Sequence, residues 1–459
     1  MVNGYLSAGR TIVGLLVDGV PDTPLVACTV VLDDRVGVVL ELPFAKGVGA
    51  EHLVPVDRWV NGDELPENLT LEAVGKVIGL YGTRVIERSL GGSVERARIG
   101  VQEAVMGVRE IDHARAFAIG ELRSQIDGLQ EWTRFRASST ETSVDDAGVR
   151  RLVITVAAVD EFTWQQGDAL MRISNDWRHT DGPDGMEFEE SVVLTSTFTN
   201  SRPFQDHYAE QRKVVALLTL MLGVGIRFRR HEVKDSRFPT EVMGTPHFEF
   251  HELLSSRTIQ DYTIPKPDPA QMRIRGIAYL QQLKPEDLVR WAENYEAWRR
   301  VIDPTVGVLS RSGLFVEDVV ISTNLSLESA GHILPHADGE EDTFSSAARP
   351  TSATFVYRAV QSLDLDWAAI ADTPIGLARA VATNYNTIKH HDRGAMPPAQ
   401  ETHLIGELSL IIVRLLALNV LDPTGQRTKD ATHARGGVIA RFQQSKLRID
   451  DSGNFVSGP

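Results

Sequence analysis

The chain has 459 residues, 42% hydrophobic and 24% charged, with a formal net charge of −15 at pH 7. That length exceeds one ordinary core, so two or three domains are expected. The acidic balance argues against a broad polyanion-binding surface but leaves room for a small basic site. A single cysteine, Cys28, excludes an internal disulfide and a cysteine-rich zinc site and points to a reducing, cytoplasmic setting.

Arg10 and the short apolar run from Thr11 to Val17 do not read as a signal peptide. Short β-branched runs follow at Thr11–Asp18, Leu25–Asp33, Val36–Phe44, Thr70–Tyr81 and Thr83–Ser89, then at Leu152–Val159, Ala169–Ser174 and Phe188–Phe198. Gly, Pro and Asp turns separate them, and no regular crossover helices intervene, so a sandwich or partly open barrel is expected rather than a parallel sheet. One helix is expected over about Asp206 to Leu222, followed by strands at Ile226–Glu232 and His247–Leu253.

From about residue 283 the apolar period changes from two to near 3.6. Pro285, Glu286 and Asp287 open a helix carrying Leu288, Trp291, Tyr295, Trp298 and Ile302 on one stripe. A second runs from Val316 to Leu334, a third from Ser352 to Leu363, and Thr373 with Pro374 starts a fourth. The last, Glu401 to Leu421, completes an up-and-down bundle. Val214–Ile226 and Leu408–Leu421 are too short to span a bilayer, and Arg414 interrupts the second, so no membrane partner is expected. The fold class is α+β, with a β-rich sensor or regulatory unit at 1–280, a helical bundle at 281–425 and a basic tail at 426–459. The tail residues Arg427, Lys429, Arg435, Arg441, Lys446 and Arg448 read as a solvated or disordered segment more than as an RNA-binding arm.

Phosphate-binding glycine loops are absent: Gly47-Val48-Gly49 and Gly223-Val224-Gly225 lack the residues that would complete them. His247 and His251 share a face if they lie on one strand. Two exposed histidines without function are the expected reading, since no third ligand is evident. The acids of Asp338–Asp342 do not match a calcium loop and are expected to be solvated. No metal and no cofactor are expected.

Chemistry is densest at Asn384-Tyr385-Asn386-Thr387-Ile388-Lys389-His390-His391-Asp392-Arg393-Gly394. Asn386 and His390 are four apart, hence on one face of a helix, and Lys389 lies one turn beyond Tyr385. A cation beside a neutral base is what phosphodiester cleavage requires. An Asn and a His at a helix C-terminus also serve structural ends, as a cap and a partner of the helix dipole.

This cluster resembles the Arg-Asn-x-x-x-His signature of HEPN domains, specifically the ApeA-like group, whose members often read Arg-Asn-x-x-x-His-Tyr-Asp at a helix end. The aromatic helix around Trp291 to Trp298 and the Phe315-Val316-Glu317 to Leu327-Glu328 helix are similar to the first helices of that bundle. The β-rich half, with Arg202-Pro203-Phe204 before an apolar helix, resembles the group's N-terminal domain. The resemblance implies a metal-independent endoribonuclease acting in antiphage defence or as a toxin. Such an enzyme is a homodimer through its bundle, with RNA (tRNA among the candidates) as substrate and a phage-derived trigger on its first half.

By that resemblance His390 is the acid or base and Asn386 its neighbour, with Lys389 as the cation. Tyr385, His391, Arg393 and Arg379 are the substrate-binding candidates. Tyr385 occupies the place of the signature arginine, so either Lys389 replaces that charge or the chain is an inert scaffold that binds a partner protein or nucleic acid. Restoring the arginine through Tyr385→Arg is then expected to raise activity.

Overall fold

The computed structural model describes residues 11–458 except 22, 24, 45–53, 63, 90–94, 109–110, 147, 158–159, 183–184 and 244. Arg10 and Gly47-Val48-Gly49 therefore lie outside the described residues.

The first half contributes β1 (Thr11–Val17), β2 (Val26–Asp33), β3 (Gly37–Phe44), α1 (Val54–Asn61), β4 (Asn68–Ala73), β5 (Lys76–Tyr81), β6 (Arg84–Ser89), β7 (Glu95–Gly100) and β8 (Glu103–Met106). It continues through β9 (Ile119–Ile126), α2 (Leu129–Thr133), β10 (Ser138–Val144), β11 (Arg150–Val156), β12 (Glu161–Gln166), β13 (Ala169–Gly182), β14 (Gly185–Arg202) and α3 (Phe204–Leu222). Four strands close it: β15 (Phe228–Lys234), then β16 (Pro239–Val242) and β17 (Thr245–Phe248) as a hairpin, then β18 (His251–Ser255).

Fourteen of these strands make one antiparallel sheet in the order β12-β13-β14-β9-β15-β18-β8-β5-β4-β1-β2-β3-β7-β6. The sheet is continuous rather than split into two packed layers. Its N-terminal part curls until β3 touches β18 across the intervening β8, β5, β4, β1 and β2. Gly37, at φ +95°, permits this closure, because a Cβ there would lie 3.1 Å from the Ser256 Cα. The curl encloses a core that includes Leu16, Leu40, Leu69, Leu71, Ile78 and Leu80. Burial of such alternating apolar positions supplies the main driving force for closure.

The expected strand Thr70–Tyr81 is a hairpin of two, β4 and β5. The turn comes at Val74-Gly75, where Gly75 adopts φ +70°. His247–Leu253 likewise divides. His247 lies on β17 and is exposed. His251 lies on β18 and is buried, with Nδ1 3.2 Å from the Met106 carbonyl and Nε2 3.3 Å from that of Phe238. The pair does not share a strand, and His251 is not an exposed residue.

The second half comprises α4 (Pro269–Arg275), α5 (Pro285–Leu309), α6 (Val316–Ile333), α7 (Ser352–Ser362), α8 (Pro374–Lys389) and α9 (Ala399–Leu421), followed by α10 (Gln426–Asp430), α11 (Thr432–Ser445) and the hairpin β19 (Leu447–Ile449) and β20 (Phe455–Ser457). Helix α9 is long and apolar enough to cross a membrane, longer than the expected apolar run, but 83% of its most apolar window is buried inside the bundle. One apolar core joins α3, the β9 and β12–β14 strands and the bundle. Across that junction the buried Arg414 of α9 donates to the carbonyls of Leu220 (2.6 Å), Met221 (3.1 Å) and Arg275 (2.6 Å). These oxygens include the orphan acceptors at the α3 C-terminus.

Asp338, Glu341 and Asp342 are exposed as expected, but Glu340 and the C-terminal segment depart from the expectation of solvation. Glu340 is buried, with Arg358 donating to both its oxygens at 2.6 and 2.7 Å and His336 Nδ1 at 2.7 Å. These bonds, Arg358's first, hold its carboxyl down at about 2. The C-terminal segment is folded: Phe442 and Ile449 are buried, and Arg427, Lys429, Arg441 and Arg448 pair with Asp287, Asp364, Glu407 and Asp372. Those four basic side chains are paired with acids of the helical half, and Arg435 donates to the Asp366 carbonyl.

Candidate active site

Helix α8 positions the cluster. The Thr373 hydroxyl accepts from the Gly376 amide at 3.1 Å, and Pro374 takes the first helical position, where its missing N–H costs nothing. Leu377, Ala378, Val381 and Tyr385 bury one face in the bundle. Gly376 lets the C-terminal hairpin press against the helix, since a Cβ would run into the Asp450 carbonyl. The helix ends when His390, at φ −120° and ψ 107°, leaves helical geometry while its amide still bonds the Asn386 carbonyl at 3.0 Å. His391–Arg393 form one tight turn, and Gly394 at φ +114° redirects the chain.

The quoted residues divide among three faces of α8. Tyr385 is 1% exposed, inside the core rather than on the surface expected of a substrate-binding residue. Lys389 follows it: the ammonium donates to the Tyr385 hydroxyl at 3.0 Å and lies 5.0 Å from the ring centroid. That hydrogen bond raises the Lys389 pKa, with Glu328 of α6 adding a smaller push. Arg379 is also diverted, donating to the Asp342 carbonyl at 2.6 Å and the Asp451 carbonyl at 3.2 Å, and is not free to hold a phosphate.

Asn386 and His390 occupy a second face, half-buried and exposed respectively. No described residue hydrogen-bonds either side chain. The i, i+4 alignment expected for them assumes helical backbone at both positions, which His390 has already left. His391 and Arg393 are exposed beside His390, and neither has a described side-chain partner. Three cationic or potentially cationic groups thus stand at a helix C-terminus, where the dipole favours positive charge.

On the third face, Ala380, Thr383, Asn384 and Thr387 line a cleft of about 390 Å³. Arg393, Pro397, Pro398, Glu401 and Phe455 complete it, so Arg393 borders both the cleft and the histidines. Asn384, Glu401 and Phe455 were missed in the sequence. The available signal was the i, i+3, i+4, i+7 spacing of residues 380, 383, 384 and 387, a face that adjoins that of Asn386. Among the described residues, no group of three His, Cys, Asp or Glu side chains converges as a metal site would.

No curated protein and no solved structure matches the chain. Residues 21–243 match the family model described as ApeA N-terminal domain 1. That match runs from the turn before β2 to the end of β16, across the curled sheet and α3, and supports an ApeA-like protein.

Proposed function

We propose that this ApeA-like chain is a cytoplasmic ribonuclease of the HEPN type serving antiphage defence, with its cleavage site at the C-terminus of α8. The observation that carries the reading is the exposed group His390, His391 and Arg393, without described side-chain partners, of which Arg393 also lines an open cleft. RNA brings its own nucleophile. The 2′-OH gives its proton to His390, O2′ attacks the adjacent phosphorus, and the 5′-oxygen departs with a proton from a second imidazole, for which His391 is the neighbouring candidate. The products are a 2′,3′-cyclic phosphate and a 5′-hydroxyl. Arg393 neutralises charge on the phosphorane, a role for which a free planar guanidinium suits better than a lysine already bonded to a phenol. Asn386 donates to a phosphate oxygen. Two copies meet through the bundle, and the sheet half receives a phage-derived trigger.

One observation favours the alternative of an inert scaffold that binds without cutting: the place of the signature arginine is held by Tyr385, inside the core. The test is cleavage of total cellular RNA in excess EDTA by the full chain and by His390→Ala, Arg393→Ala and Lys389→Ala. The expected result is no cleavage by His390→Ala, a loss of roughly 10²–10³-fold for Arg393→Ala and a smaller loss for Lys389→Ala. Undiminished cutting by His390→Ala refutes the site, and RNA binding without any turnover, trigger included, favours the scaffold.

A further inference from the structure

The cleft beside the cleavage cluster carries groups that proton transfer does not use. Asn384, which lines the cleft, is 6% exposed; its Nδ2 reaches the Thr402 hydroxyl at 3.4 Å, while its Oδ1 is buried with no hydrogen-bond partner among the described residues. A buried acceptor left in this way has lost its water without compensation. Glu401, in the first turn of α9, lines the same cleft and has no described partner; burial raises its carboxyl above the ordinary value. The exposed Thr383 side chain lines the cleft as well, with no hydrogen-bond partner for its hydroxyl among the described residues. Phe455 forms an aromatic wall, steadied by stacking on Phe442 at 6.2 Å and 11°. The volume suits a small planar ligand.

Two acceptors, a hydroxyl donor and an aromatic face are the complement of one nucleobase. Guanine alone presents two neighbouring donors, N1–H and N2–H, beside the O6 acceptor. On that edge adenine has one donor and one acceptor, cytosine one donor beside two acceptors, and uracil a single donor between two acceptors. We propose that the cleft is a guanine-specific subsite that receives an unstacked base of single-stranded RNA. Asn384 Oδ1 and Glu401 accept from N1–H and N2–H, Thr383 donates to O6, and Phe455 covers the ring face. Arg393 at the rim places the attached phosphate toward His390, so the inference rests on the reading of His390 as the cleavage residue and names the base beside the cut.

The experiment uses the full chain and titrates guanosine, adenosine, cytidine and uridine 3′-monophosphates by calorimetry, for wild type and for Glu401→Gln. That substitution keeps the shape of a half-buried side chain and leaves the core intact. In parallel, the 3′ ends of cleaved RNA are sequenced. The expected result is guanosine monophosphate binding at least ~10-fold more tightly than the others, a preference erased in Glu401→Gln, and fragments ending in guanosine. Equal affinities, no binding at millimolar concentration, or a preference untouched by Glu401→Gln overturns the subsite. RNA cut without regard to base removes the subsite and leaves the nuclease. Selective guanosine monophosphate binding with no RNA cleavage keeps the subsite and removes the nuclease.

Discussion

Acid should loosen this protein through His231, and the size of the effect follows from where the ring sits. His231 lies on β15, completely buried, with Nδ1 2.8 Å from the Ser124 hydroxyl and Nε2 3.0 Å from that of Thr258. Ser124 already donates its proton to Gln211 Oε1 at 2.6 Å, so Nδ1 carries the imidazole proton and Nε2 accepts from Thr258. A second proton would place a buried cation between the rings of Phe204 and Phe228, 5.4 and 5.0 Å away. Burial accordingly lowers the pKa from 6.5 to about 3. The folded pKa lies below the unfolded one, so between those values the unfolded chain holds the extra proton and stability falls as pH falls. From pH 7 to pH 5 this amounts to about 2 kcal/mol. Urea unfolding followed by tryptophan fluorescence, at both pH values, checks it on wild type and His231→Gln. His207, also lowered by burial, contributes equally to both proteins and cancels. The variant should lose about 2 kcal/mol less than wild type on acidification. Equal losses would show that His231 does not titrate across this window and would refute the reasoning.

Two further outcomes rest on burial. Arg414→Leu removes the donor to three carbonyls at the junction of α3 and the bundle and should destabilise by about 3 kcal/mol, seen as a lower thermal midpoint; a change below about 1 kcal/mol would mean that water replaces the guanidinium. Tyr385→Arg, expected from the resemblance to raise activity, should instead cost several kcal/mol and give no faster RNA cleavage, because it drives a guanidinium into the core; a stable, more active variant would contradict this.

Periodicity made most elements legible. The stripe from Leu288 to Ile302 and the Thr373-Pro374 start announced α5 and α8, and the β-branched runs announced the sheet strands they cover. Less legible was how far packing carries an element. Helix α5 passes through Pro304 to Leu309, because Thr305 and Val308 are buried beyond it and offset the lost hydrogen bond. The basic tail and Glu340 looked solvated because charge was read without its partners, which lie 18 to 140 residues away in the chain.

The same limit applies at the site. Local spacing along α8 placed Asn386, Lys389 and His390 at the end of a helix, and the chain alone determined that much, since 3.6 residues per turn is a property of the backbone. Which of them face solvent was decided by the core around α8. It took Tyr385 inward with Lys389 leaning over it, tied Arg379 to two carbonyls, and left Arg393 and the histidines open beside a cleft whose other walls come from α9 and the C-terminal hairpin. Residues so distant in sequence meet only when the apolar faces of their elements are buried together, and no local pattern encodes that meeting.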